Sequence, residues 1–68
     1  MNANQCRAAR ALLGWTQGTL AEKANVSQST VADFEREVRV PVPNNKRAIV
    51  NAFWRGGVRF AFGGVILR

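Results

Sequence analysis

The sequence has no histidine and no tyrosine, and only one cysteine, one methionine, two prolines and four acidic residues among 68. Each shortage excludes something. Cys6 has no second cysteine to pair with, so no disulfide can brace the chain. With no histidine and one cysteine, a structural zinc site lacks its ligands. An unpaired cysteine fits a reducing compartment. The longest apolar stretch, Val65-Ile66-Leu67, is far too short to span a membrane. No signal peptide follows Met1-Asn2-Ala3-Asn4-Gln5. A cytoplasmic protein without a membrane association is expected. Paired carboxylates, a phosphate-cradling glycine loop and a metal-ligand set are also missing, so neither an enzyme nor a cofactor is expected.

What is present is positive charge. Ten Lys and Arg stand against four Asp and Glu, a net charge of +6. Such a balance suits a polyanion, either nucleic acid or an anionic membrane surface. The basic residues are spread along the chain, and no polybasic block or lipidation motif favours the membrane. The length fits one domain, residues 1–68. A domain this small buries about 60% of the surface its unfolded chain exposes. Its core supplies ~3–5 kcal/mol, so helix packing or self-association must provide the rest.

Gly, Pro and Asn divide the chain. Residues 4–13 read as a first helix with Cys6, Ala9, Leu12 and Leu13 at helical spacing, stopped by Gly14. Thr16 is an N-cap for a second helix whose inner face carries Leu20, Ala21 and Ala24. Gly18 weakens its first turn slightly, and Asn25 tolerates the left-handed stop. Ser27 caps a third helix, with Val26, Val31 and Phe34 inward, ending near Arg36. Pro41 and Pro43 push the residues before them toward extended backbone, so 37–43 cannot be helical throughout. Asn44 or Asn45 caps a fourth helix with Ala48, Ile49, Ala52 and Phe53 inward, ended by Gly56-Gly57. Val58-Arg59-Phe60 and Val65-Ile66-Leu67 are β-prone runs joined through Gly63-Gly64, a hairpin over 58–68. An isolated hairpin is marginal in water, so the helical core or a second copy of the chain must cover it. The expected fold is mainly α, four helices with a short C-terminal β-hairpin.

The informative segment is 16–36. Two short helices are joined by Asn25-Val26-Ser27, a spacing that matches a helix-turn-helix unit. With Arg10, Gly14-Trp15-Thr16-Gln17, Leu20-Ala21, Val26, Val31 and Phe34-Glu35-Arg36, residues 4–53 resemble the phage repressor and Cro-like DNA-binding domains of the XRE family. Three departures stand out: Asn25 replaces the usual Gly, Thr19 replaces a Glu that would close a capping box with Thr16, and a hairpin replaces the fifth helix. The resemblance implies a sequence-specific, double-stranded-DNA-binding transcriptional regulator of the repressor type, bacterial or encoded by a phage or mobile element. It also implies that Arg10 and Glu35 form a partly buried ion pair.

In such a unit the first residues of the third helix meet base edges in the major groove. Gln28 can pair bidentately with adenine, Ser29 can donate or accept, Thr30 can offer a methyl or a hydroxyl, and Asp33 can accept from cytosine. Solvated surface roles remain open for Gln28 and Ser29, and a solvent-facing or intrahelical role for Asp33. Candidate phosphate contacts are Thr16 and Gln17 at the start of the second helix, and Arg36, Arg39, Asn44, Lys46 and Arg47 beyond the third. Trp15, Phe53 and Trp54 are better suited to packing than to base stacking. One module reads few base pairs, so a homodimer on a palindromic operator is expected. Val58, Phe60, Val65 and Leu67 are the candidate dimer contacts, through pairing of open hairpin edges. The alternative is a protein-binding module, an antitoxin or antiactivator, gripping its partner with the apolar tail. Non-specific nucleoid or RNA binding also fits the charge.

Overall fold

The computed structural model describes residues 1–68. Four helices run in order, α1 (Ala3–Leu13), α2 (Gln17–Ala24), α3 (Gln28–Glu35) and α4 (Pro43–Arg55), followed by strands β1 (Val58–Ala61) and β2 (Gly64–Leu67).

Local chemistry sets the helix starts. Asn2 and Gln5 form a reciprocal capping box on α1. Thr16 caps α2 by accepting from the Thr19 amide at 3.0 Å, and Ser27 caps α3 by accepting from the Thr30 amide at 3.1 Å. In each cap the two hydroxyls also bond to each other, at 2.9 and 2.8 Å. Thr19 therefore supports its cap by a route other than a capping box. α4 starts earlier than expected. Its N-cap is Val42, which makes no side-chain cap, and Pro43 occupies the first turn. Proline fits there because its preset φ is helical and its missing N–H would be unpaired anyway. Asn44 and Asn45 are consequently inside the helix.

Three helix ends share one device. Trp15 donates to the Arg10 carbonyl, Val26 to Ala21 and Val38 to Asp33, each spanning a residue with positive φ: Gly14, Asn25 and Glu37. This is the Schellman stop, with an apolar residue just after the left-handed one.

The core gathers Cys6 and Ala9 from α1, Leu20, Ala21 and Ala24 from α2, Val31 and Phe34 from α3, and Ile49, Ala52 and Phe53 from α4. Leu12 was expected inside but stays 45% exposed, on the flank of the Cys6–Ala9–Leu13 stripe. Trp15 stacks on Phe53 at 5.8 Å, and Phe60 meets Phe53 in an edge-to-face arrangement at the same distance. Trp54 remains exposed, with the Arg59 guanidinium lying over its ring.

The strands pair antiparallel, Val58 with Leu67 through Ala61 with Gly64, around a turn at Phe62-Gly63. Gly64 is thus in the strand and not in the turn. The helical core covers one face of this hairpin. Of the candidate dimer contacts, Val58 is fully enclosed, and Phe60 and Val65 pack on the core of their own chain. Alternation along a strand sends these residues to one face, and that face is the one the helices need. Leu67 is the exposed member of the four. Gln5, a polar residue with no obvious inward role, is buried because its Nε2 donates to the carbonyls of Ala61 (2.8 Å) and Gly64 (3.0 Å). It ties the hairpin to α1.

Candidate nucleic-acid interface

The three-residue turn after α2 brings the starts of α2 and α3 together. At each start the first amides have no intrahelical partner, as at any helix N-terminus. The Ser27 and Thr30 hydroxyls are engaged in the α3 cap. Thr30 therefore offers its methyl more readily than its hydroxyl. Gln28 and Ser29 are exposed and make no side-chain hydrogen bond within the chain. Asp33 is half-buried one turn on.

A groove of about 330 Å³ runs beside α3, lined by Ser27, Ser29, Thr30 and Asp33 on one wall. The segment Arg39–Val42 and Asn45 form the other wall. The structure therefore joins Arg39 to three of the four candidate base contacts. Asn45, absent from the expected set, lines this groove, and Asn44 does not. Asn44 instead accepts from Arg47 Nη1 at 3.2 Å. Lys46 lines a separate hollow with Met1, Phe34 and Val38. Arg36 is exposed just past α3. The expected phosphate contacts thus fall into different places, and only Arg39 borders the groove. Asn45 was hidden because its position depends on where α4 begins, one turn earlier than its own capping potential suggests.

Behind the interface lies Glu35, 3% exposed. Arg10 Nε and Nη2 each donate to its carboxylate at 2.7 Å, a bidentate ion pair. Gln17 Nε2 donates at 3.0 Å and the Cys6 thiol at 3.1 Å. Arg7 donates to the Glu35 backbone carbonyl. α1, α2 and α3 therefore meet at one carboxylate. Burial by itself would raise the Glu35 pKa, but the hydrogen bonds from Arg10, Gln17 and Cys6, with the charge of Arg10, hold it below the ordinary range. The hydrogen bond to Glu35 raises the Arg10 pKa, against the opposing effect of burial. Burial, then the bond to Glu35, pushes the Cys6 thiol far up, so it stays protonated and donates. Gln17 has one amide hydrogen committed inward, which leaves its second amide hydrogen to donate to a phosphate.

Two capped helices across a three-residue turn, with unpaired polar groups at the second helix's start and a basic surround, define a helix-turn-helix DNA-binding domain. The comparison with known families agrees: a helix-turn-helix family matches residues 7–53, and the chain belongs to that family, the XRE type of DNA-binding transcription regulators. No curated protein matches the chain. The match stops at Phe53, so the hairpin that supplies Val58 to the core lies beyond it. The family is one of regulatory DNA-binding domains and not of enzymes. No helix is long and apolar enough to cross a membrane.

Proposed function

We propose that this protein is a sequence-specific repressor that reads the major groove of double-stranded DNA with the first turn of α3. The observation that carries the reading is the pair of exposed, internally unbonded side chains Gln28 and Ser29, at the start of a helix beside a groove that Arg39 borders. Gln28 and Ser29 read base edges, the Thr30 methyl meets thymine, and Asp33 discriminates at the groove wall. The unpaired amides of α2, with Gln17 and the Thr16 end, hold one phosphate. Arg39 holds the backbone on the other side, and Arg36, Asn44, Lys46 and Arg47 add charge around it.

Two copies bind a palindromic operator with half-sites about 34 Å apart. Their hairpins pair along open backbone edges, and Leu67 is the exposed one of the four candidate contacts, free to join. Occupying the operator denies the same DNA to other proteins, which is repression.

A binding titration tests this. The DNA upstream of the protein's own gene and a scrambled duplex are titrated in parallel at several salt concentrations. Binding roughly a thousandfold tighter to one duplex supports specific readout. Equal, salt-sensitive binding to both identifies a non-specific binder. A second reading rests on the exposed Phe62, Ile66 and Leu67 at the end of the hairpin, which suit an apolar protein partner. It predicts no DNA binding at moderate salt, and partner capture lost on Leu67→Lys.

A further inference from the structure

Gly18 is an odd choice for the first turn of α2, since glycine is the weakest helix former apart from proline. Its φ needs no glycine, because it lies in ordinary helical backbone. The space around it does. A Cβ built at Gly18 would stand 3.3 Å from Gln28 Oε1, 3.8 Å from Gln28 Cδ and 3.7 Å from Thr16 Oγ1. The Gln28 carboxamide therefore rests directly on the first turn of the neighbouring helix. With a Cβ present, that nearest contact would be tighter than ordinary van der Waals packing, and the atom that would have to yield is the far end of a flexible side chain.

From this contact we infer that Gly18 is a positioning residue for DNA specificity, acting through Gln28. The inference rests on the reading that Gln28 contacts a base. A long glutamine on an exposed helix start has several rotamers, and bidentate pairing with an adenine edge needs both amide atoms held in one orientation. The bare backbone at Gly18 gives the carboxamide a floor to lie on, close to the α2 amides that hold the phosphate. An alanine methyl there raises the floor and displaces the carboxamide by a few tenths of an ångström. Nothing in the backbone has to move, so the fold is retained while the base-reading atoms shift.

The test selects binding sites from randomised DNA duplexes with four full-length proteins: wild type, Gln28→Ala, Gly18→Ala and the double variant. In the expected result Gly18→Ala alters base preference only at the half-site position that Gln28→Ala also alters. The double variant then gives the same sites as Gln28→Ala alone. Affinity of Gly18→Ala for the wild-type site falls about tenfold, near the lower end of a bidentate base contact. If Gln28→Ala changes no position, the base-reading role of Gln28 fails and this inference with it. If Gln28→Ala changes a position and Gly18→Ala does not, or changes a different one, this inference alone is overturned. A measurement on the wild-type protein is independent of any variant's folding. Proton NMR is expected to show a cross-relaxation contact between the Gln28 side-chain protons and the Gly18 Hα protons, and the absence of any such contact overturns the inference.

Discussion

Glu35 is the residue on which α1, α2 and α3 converge, and its charge is tolerable only because Arg10, Gln17 and Cys6 all donate to it. A buried ion pair adds little net stability compared with an apolar replacement, but removing one partner strands the other. Arg10→Ala is therefore expected to destabilise the fold by ~3–5 kcal/mol, read as a lower midpoint in urea or thermal unfolding. The same carboxylate sets an acid limit. Its pKa is lowered on folding from the ordinary 4.5, so its stabilising contribution is complete above that value and is lost as pH falls through the lower native value. Glu35→Gln is expected to flatten this acid limb while lowering stability at neutral pH, and unfolding midpoints measured from neutral to strongly acidic pH check both.

At the scale of single elements, the helix ends carry the most easily tested chemistry. Gly14, Asn25 and Glu37 all sit at left-handed stops, and only Glu37 is ill suited to the conformation. It is exposed, so its side chain gains little in return. Glu37→Gly is expected to raise stability by up to about 1 kcal/mol, seen as a higher melting temperature at unchanged helix content by circular dichroism. The hairpin has a related constraint at its base. Gly57 has φ +98°, and a Cβ there would lie 2.8 Å from the Arg68 carbonyl oxygen, while the Gly57 carbonyl accepts from the Arg68 amide at 2.7 Å. Gly57→Ala is expected to loosen the β1–β2 pairing, measured as faster amide exchange at Arg68 and a lower melting temperature.

At the scale of the whole molecule, the hairpin belongs to the fold before it can serve any partner. Val58 is fully enclosed, and Phe60 lies edge-on against Phe53. Burying one such aliphatic side chain stabilises by ~1.5–3 kcal/mol, a large share of the ~3–5 kcal/mol a core this size supplies. A chain truncated after Arg55 is expected to lose cooperative thermal unfolding, so association is better measured by sedimentation of the full chain across a concentration series. A monomer at the concentration that saturates operator DNA would rule out dimerisation through the hairpin edges.

The features the sequence determined by itself are those governed by interactions within four or five residues. The Thr16 and Ser27 caps, the stops at Gly14 and Asn25, the inward faces of α2 and α3 and the three-residue turn all depend on neighbours along the chain. Hydrogen bonds of this range leave a readable spacing, and so the helix-turn-helix unit was legible. The tertiary structure decided what depends on which distant surface arrives. Gln5 became buried because carbonyls 56 and 59 residues away accept from it. Cys6 became a donor because a carboxylate 29 residues on turns toward it. Val58 became core rather than contact surface because α4 ends where β1 can fold back over Phe53. Gly18 acquired a neighbour only when α3 folded against α2. Polar burial and close approach are properties of two surfaces meeting, and no local pattern in one segment encodes which other segment will meet it.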